Sequence, residues 1–134
     1  MKQLAQNQRI FILASVVILL LATTALPMQG PSVRRVRFPP WRTTAVLRGS
    51  IVNDGMNQYI LGAKAGQKMT VHIASPKNRA KFDVYLRGDR SVLASSGAED
   101  TIDWEGELPE SGDYVISVYS VGGNARYTLE VSVR

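Results

Sequence analysis

The chain has 134 residues, with 16 Lys or Arg against 11 Asp or Glu, a formal net charge of +5, and no cysteine. That length accommodates one domain of ordinary size, and zero cysteine excludes disulfides, thiolate metal sites and a cysteine nucleophile. An apolar content of 45% excludes an intrinsically disordered chain.

Lys2 and Arg9 open the chain, and no further charge occurs before Arg34. A basic start, an apolar run from Ile10 and the small residues Thr23-Thr24-Ala25 are the three parts of a secretory signal peptide. Residues 1–25 are therefore expected to be a leader. The alternative is an uncleaved anchor, since the apolar run to Met28 approaches the roughly 20 residues that span a bilayer. Membrane contact would then run through residues 10–28, with the protein held in the inner membrane. Either case places the rest of the chain in the periplasm or outside the cell. Without Lys2 and Arg9, 14 basic groups face the 11 acidic ones. A net of +3 is ordinary for a small domain.

Residues 26–43 are rich in Pro and Arg, so they read as a linker with a short edge strand at 36–38. From there the period is two. Tyr59, Leu61 and Ala63 alternate with polar or small neighbours, as do Met69, Val71 and Ile73. The same holds for Phe82, Val84 and Leu86, for Ile102, Trp104 and Leu108, for Tyr114, Ile116 and Val118, and for Tyr127, Leu129, Val131 and Val133. Alternation gives each strand a buried and a wet face. Asn53-Asp54-Gly55, Ala65-Gly66, Arg87-Gly88-Asp89, Ser111-Gly112 and Gly122-Gly123-Asn124 supply the turns between them. With segments 45–51 and 92–94 this makes about eight or nine strands. The expected fold is all-β, an antiparallel two-sheet, jelly-roll-like β-sandwich over residues 44–134.

Chemistry-bearing motifs are sparse. His72 is the single histidine, and no nucleophile elbow, zinc-binding His-Glu-x-x-His or phosphate loop occurs; no enzyme is expected and no cofactor is required. Seven carboxylates and no Lys or Arg fall within residues 99–113. Asp103, Glu105 and Glu107 share one strand face, a candidate calcium site if Glu99 and Asp100 fold back, or else a row paired with a basic neighbour. Residues 64–90 hold seven basic groups against Asp83 and Asp89, and they could supply that pairing. Trp41 among arginines is the one fragment suited to nucleic acid, and export argues against nucleic acid as a partner. Residues 34–42 fit anionic headgroups better. Tyr85 and Tyr119, in outward phase, are the candidate contacts for an envelope glycan.

The segments Tyr59-Ile-Leu-Gly-Ala-Lys-Ala-Gly-Gln67 and Phe82-Asp-Val-Tyr85, with Leu108-Pro-Glu-Ser-Gly-Asp-Tyr114 and Ala125-Arg-Tyr127, resemble bacterial pre-peptidase C-terminal-like domains. Within that group the Ala-x-x-Gly-Gln turn, the Leu-Pro-x-Ser-Gly-x-Tyr corner and Val36-x-Phe38 are similar to periplasmic inhibitors of g-type lysozyme. The likeness spans residues 36–134. It implies a non-enzymatic binding module with a protein partner such as a lysozyme, whose cleft the loop at Ser111, Gly112 and Tyr114 would approach. The family's loop before the last strand is longer and basic; here it is residues 120–125, with Arg126 beside it as the corresponding contact. A structural or adhesion-type envelope domain, or a carbohydrate-binding module, is the alternative function on the same fold.

Overall fold

A computed structural model describes residues 31–89 and 91–134. The expected leader at 1–25, the membrane-contacting segment 10–28 and the first part of the linker lie outside the described residues.

Nine strands follow in chain order: β1 (Ser32–Arg35), β2 (Thr44–Ile51), β3 (Met56–Ala63), β4 (Lys68–Ala74), β5 (Ala80–Leu86), β6 (Val92–Ser95), β7 (Asp103–Glu107), β8 (Gly112–Ser120) and β9 (Ala125–Val133). A 3₁₀ turn, Pro76–Asn78, joins β4 to β5. The strands form two sheets, one ordered β1-β3-β8-β5-β6 and the other β2-β9-β4-β7. From β2 to β5 successive strands alternate between the sheets, as do β7, β8 and β9, so the loops cross the two ends of the sandwich. The all-β sandwich expected from alternation is the observed fold.

The period-two residues meet between the sheets. Tyr59, Leu61, Phe82, Val84, Tyr114, Ile116 and Val118 face Met69, Val71, Ile73, Tyr127, Leu129 and Val131, all buried. Each such side chain contributes roughly 1.5–3 kcal/mol when removed from water. Tyr59 of one sheet and Tyr127 of the other meet edge to face, with ring centroids 6.4 Å apart at 81°. Their hydroxyls are 2.6 Å apart, and Asn57 Nδ2 donates to the Tyr127 oxygen at 2.8 Å. The polar tips of two core rings are thus satisfied by each other, as burial demands.

Three details differ from the expectations. The edge strand lies at Ser32–Arg35, earlier than 36–38, and pairs with β3 in parallel, the one parallel pairing among the described strands. Val36 then donates its N–H to Ile60 O and enters the core, ending the strand. Val115 and Ser117, in outward phase on β8, are buried nevertheless. β8 is the central strand of its sheet, and flanking side chains cover it: Gln58 Nε2 donates to Ser117 Oγ and to Tyr85 Oη. Lys81, another outward position, is only 5% exposed. Its ammonium donates to Asp100 Oδ1 at 3.1 Å and reaches Thr101 O at 3.5 Å.

Candidate functional site

The strand directions decide which candidates can act together. β8 runs from Gly112 to Ser120, a length of about 27 Å at the usual rise per residue. Ser111 precedes its first residue; Arg126 follows the turn beyond its last. The two therefore occupy opposite ends of the sandwich.

At the Ser111 end, four segments converge: residues 64–67 between β3 and β4, residues 87–89 that follow β5, 108–111 between β7 and β8, and the segment 36–43 that enters β2. Backbone bonds lace them together. Gly66 donates to Leu108 O at 2.8 Å, Leu108 to Gln67 O at 2.8 Å, and Lys68 to Arg134 O at 2.8 Å. Gly66 has a φ of +85°, a conformation open to glycine at little cost. Ser111 Oγ accepts the Ala65 N–H at 2.9 Å. Its own proton and second lone pair stay available toward solvent, since the residue is exposed.

Tyr114 serves this loop from beneath. Its ring is fully buried and its hydroxyl donates to Glu110 O at 2.6 Å, the hydrogen bond of a tyrosine corner. A buried ring cannot touch a partner, so Tyr114 positions the corner, and the contact role implied by the resemblance is corrected to that. Gly112 is exposed, and a Cβ there would meet Leu86 Cδ1 at 3.3 Å.

Charge surrounds the loop. Arg35 grips Asp113 with both guanidinium nitrogens, at 2.8 and 3.1 Å, and Arg87 approaches the same carboxylate at 3.7 Å. The hydrogen bond from Arg35 holds the Asp113 carboxyl below its ordinary range, and the pair raises the Arg35 guanidinium. Lys64 and Gln67 line a shelf beside Gly112 and Asp113.

The acidic row finds basic neighbours. Asp103, Glu105 and Glu107 lie exposed along β7, and β7 pairs with β4 in the register Lys68↔Glu107, Thr70↔Glu105 and His72↔Asp103. Lys68 Nζ is 3.1 Å from Glu105, and His72 Nδ1 is 2.5 Å from Asp103 Oδ1. Asp100 turns to Lys81. Among the described residues no group of three or more histidine or carboxylate side chains is arranged to hold a metal ion. Strand spacing keeps Asp103, Glu105 and Glu107 in an extended row, with His72 and Lys68 of β4 beside Asp103 and Glu105, and Asp100 turned to Lys81 instead of folding back onto them.

The glycan candidates are also engaged. Tyr85 bonds Gln58 and Ser117, Tyr119 reaches Asp83, and both are half-buried. Trp41, in contrast, is the one aromatic in full contact with solvent among the described residues. The signal for it was Pro39-Pro40 immediately before a tryptophan.

No protein-family model matches the sequence, and no curated protein does. Solved structures do. PliG of Aeromonas hydrophila, a periplasmic lysozyme inhibitor of g-type lysozyme, is 30% identical over 78% of this chain and 98% of its own, with a TM-score of 0.71. A PliG mutant from Escherichia coli is 21% identical over 78% and 100%, at 0.60. The pre-peptidase C-terminal domain of Bacillus anthracis collagenase shares the fold at 16% identity, 79% and 98% coverage, and a TM-score of 0.57. With that identity over nearly the whole Aeromonas protein, and with the corner and turn motifs in place, the chain belongs to the PliG-like family of pre-peptidase C-terminal-like β-sandwich proteins.

Proposed function

We propose that this protein is a non-enzymatic, periplasmic inhibitor of g-type lysozyme that occupies the enzyme's cleft with the Ser111–Gly112 loop. The observation that carries this is the rigid exposure of that loop. Its serine is solvent-facing yet pinned by the Ala65 N–H, and its base is locked by the Tyr114–Glu110 bond. A loop already held in one conformation loses little entropy on docking. A glycosidase cleft carries catalytic carboxyl groups, and a hydroxyl donor flanked by Lys64 and Arg87 complements them. The family supplies the partner class: the Aeromonas relative is an inhibitor of g-type lysozyme.

The test is inhibition of g-type lysozyme by the purified protein. Inhibition is expected near equimolar ratios, and Ser111→Ala is expected to weaken it about tenfold, the usual value of one lost hydrogen bond. Arg126→Ala, at the far end, should leave it unchanged; dependence on Arg126 alone would assign the contact to the other end. No slowing at hundredfold excess removes the reading.

A further inference from the structure

Trp41 is held in a conformation that its own side chain disfavours. Arg42 N donates to Pro39 O at 3.0 Å, closing a four-residue turn with Pro40 and Trp41 at its centre. Proline fixes a negative φ at the first central position, and Trp41 has a φ of +64° at the second. That is the pattern of a type II turn, whose second central position favours glycine. A bulky residue there is an outlier, and nothing inside the fold compensates it, since Trp41 is 103% exposed. Strain of this kind persists where the surrounding chain enforces it, and it clusters at working sites.

Its place in the fold gives it a neighbour. Thr43 O accepts the Val133 N–H, and Arg134, one residue on, exchanges two bonds with Lys68 at the start of β4. β2 and β4 are two strands apart, on either side of β9, so their ends are about 10 Å apart. The turn after β3 that pins Ser111 adjoins Lys68. Trp41 and Ser111 thus crown the same end of the sandwich. A standard interface takes about 800 Å² from each partner, a patch roughly 30 Å across, and one such patch covers both. Arg37 and Arg42 flank the indole, both exposed.

We propose that Trp41 is the second anchor of the inhibitory surface, an indole presented with Arg37 and Arg42 to an apolar pocket on the acidic rim of the lysozyme cleft. This rests on the function proposed above and adds to it a contact outside the Ser111 loop. Trp and Arg are the side chains that most often dominate binding when buried in a partner. The Pro39-Pro40 turn orders the indole before contact, and a partner of acidic rim chemistry is the occupant that the two arginines complement.

The experiment compares the purified protein with Trp41→Gly and Trp41→Phe. Trp41→Gly relieves the strained φ, so its melting temperature is expected to rise by about 5 °C, while its inhibition constant rises about 30-fold. Trp41→Phe is expected to retain most of the inhibition. With fluorine-labelled tryptophan, the Trp41 resonance should shift on adding unlabelled g-type lysozyme, with Trp104 unchanged. If the parent inhibits and Trp41→Gly inhibits equally well, this inference falls and the proposed function stands. If the parent does not inhibit, both fall. If Trp41→Gly instead loses only binding to anionic lipid vesicles, Trp41 is a membrane contact and the inference is overturned.

Discussion

Tyr127 is constrained from several sides in the core. Its ring packs against Tyr59, its hydroxyl is shared with Tyr59 and Asn57, and its neighbour across the ladder is Gly49. A Cβ at position 49 would lie 2.4 Å from the Tyr127 oxygen. Gly49→Ala should therefore destabilise the fold by about 1–3 kcal/mol, read in chemical denaturation, because the ring has to move. Burial, helped by the Tyr59 hydroxyl, pushes the Tyr127 phenol well above its usual range. A raised folded-state value means that its contribution is complete below the unfolded value, near pH 10, and is lost as pH climbs beyond it. Tyr127→Phe should cost about 1–2 kcal/mol at neutral pH by unpairing Tyr59 and Asn57. It should also flatten the alkaline decline above about pH 10. At the Arg35–Asp113 pair the sign is opposite: the lowered carboxyl stabilises at neutral pH, and that support fades as pH falls through its depressed value.

Among the elements, β4 and β7 form the electrostatic seam. Replacing Lys68 by Glu would set three carboxylates together at the register with Glu105 and Glu107. A loss of about 0.5–1 kcal/mol is expected in urea titration at low salt, shrinking as salt is raised. Strand positions were legible in the sequence because a half-buried strand must alternate, and Tyr59, Met69, Phe82 and Leu129 all obeyed. Strand neighbours were not. Whether the basic stretch lay beside the acidic one depended on which sheet received β7, and no local pattern encodes that. The buried outward residues Val115 and Ser117 went unseen for the same reason, because central position in a sheet is a property of the assembled whole. β1 was displaced from its expected place because Val36 reads equally well as strand and as core plug. In the candidate site, the Ser-Gly corner was recognisable by motif and alternation already put Tyr114 on the inward face, yet the sequence could not tell that Arg126 sits at the far end.

At the scale of the whole molecule, charge is arranged by end. Arg35, Arg37, Arg42, Lys64, Lys68, Arg87 and Arg134 gather where the Ser111 loop emerges, against Asp89, Glu107, Glu110 and Asp113. A lysozyme with an acidic cleft should then associate faster at low ionic strength. The association rate, followed by stopped flow, is expected to fall about tenfold between low and physiological salt, with the dissociation rate nearly constant. An association rate indifferent to salt would remove electrostatic steering. The ends themselves are joined by rigid ladders, so substitutions near Arg126 and near Ser111 should act additively.

The hydroxyl pair of Tyr59 and Tyr127 has a further meaning in a chain without cysteine. It ties one sheet to the other where many exported domains would use a disulfide. A tie made of hydrogen bonds needs no oxidant to form and no isomerase to correct, and reductants do not break it. The sandwich can close in a reducing cytosol as readily as beyond the membrane, so the redox state of a compartment has no hold on when or where this protein folds.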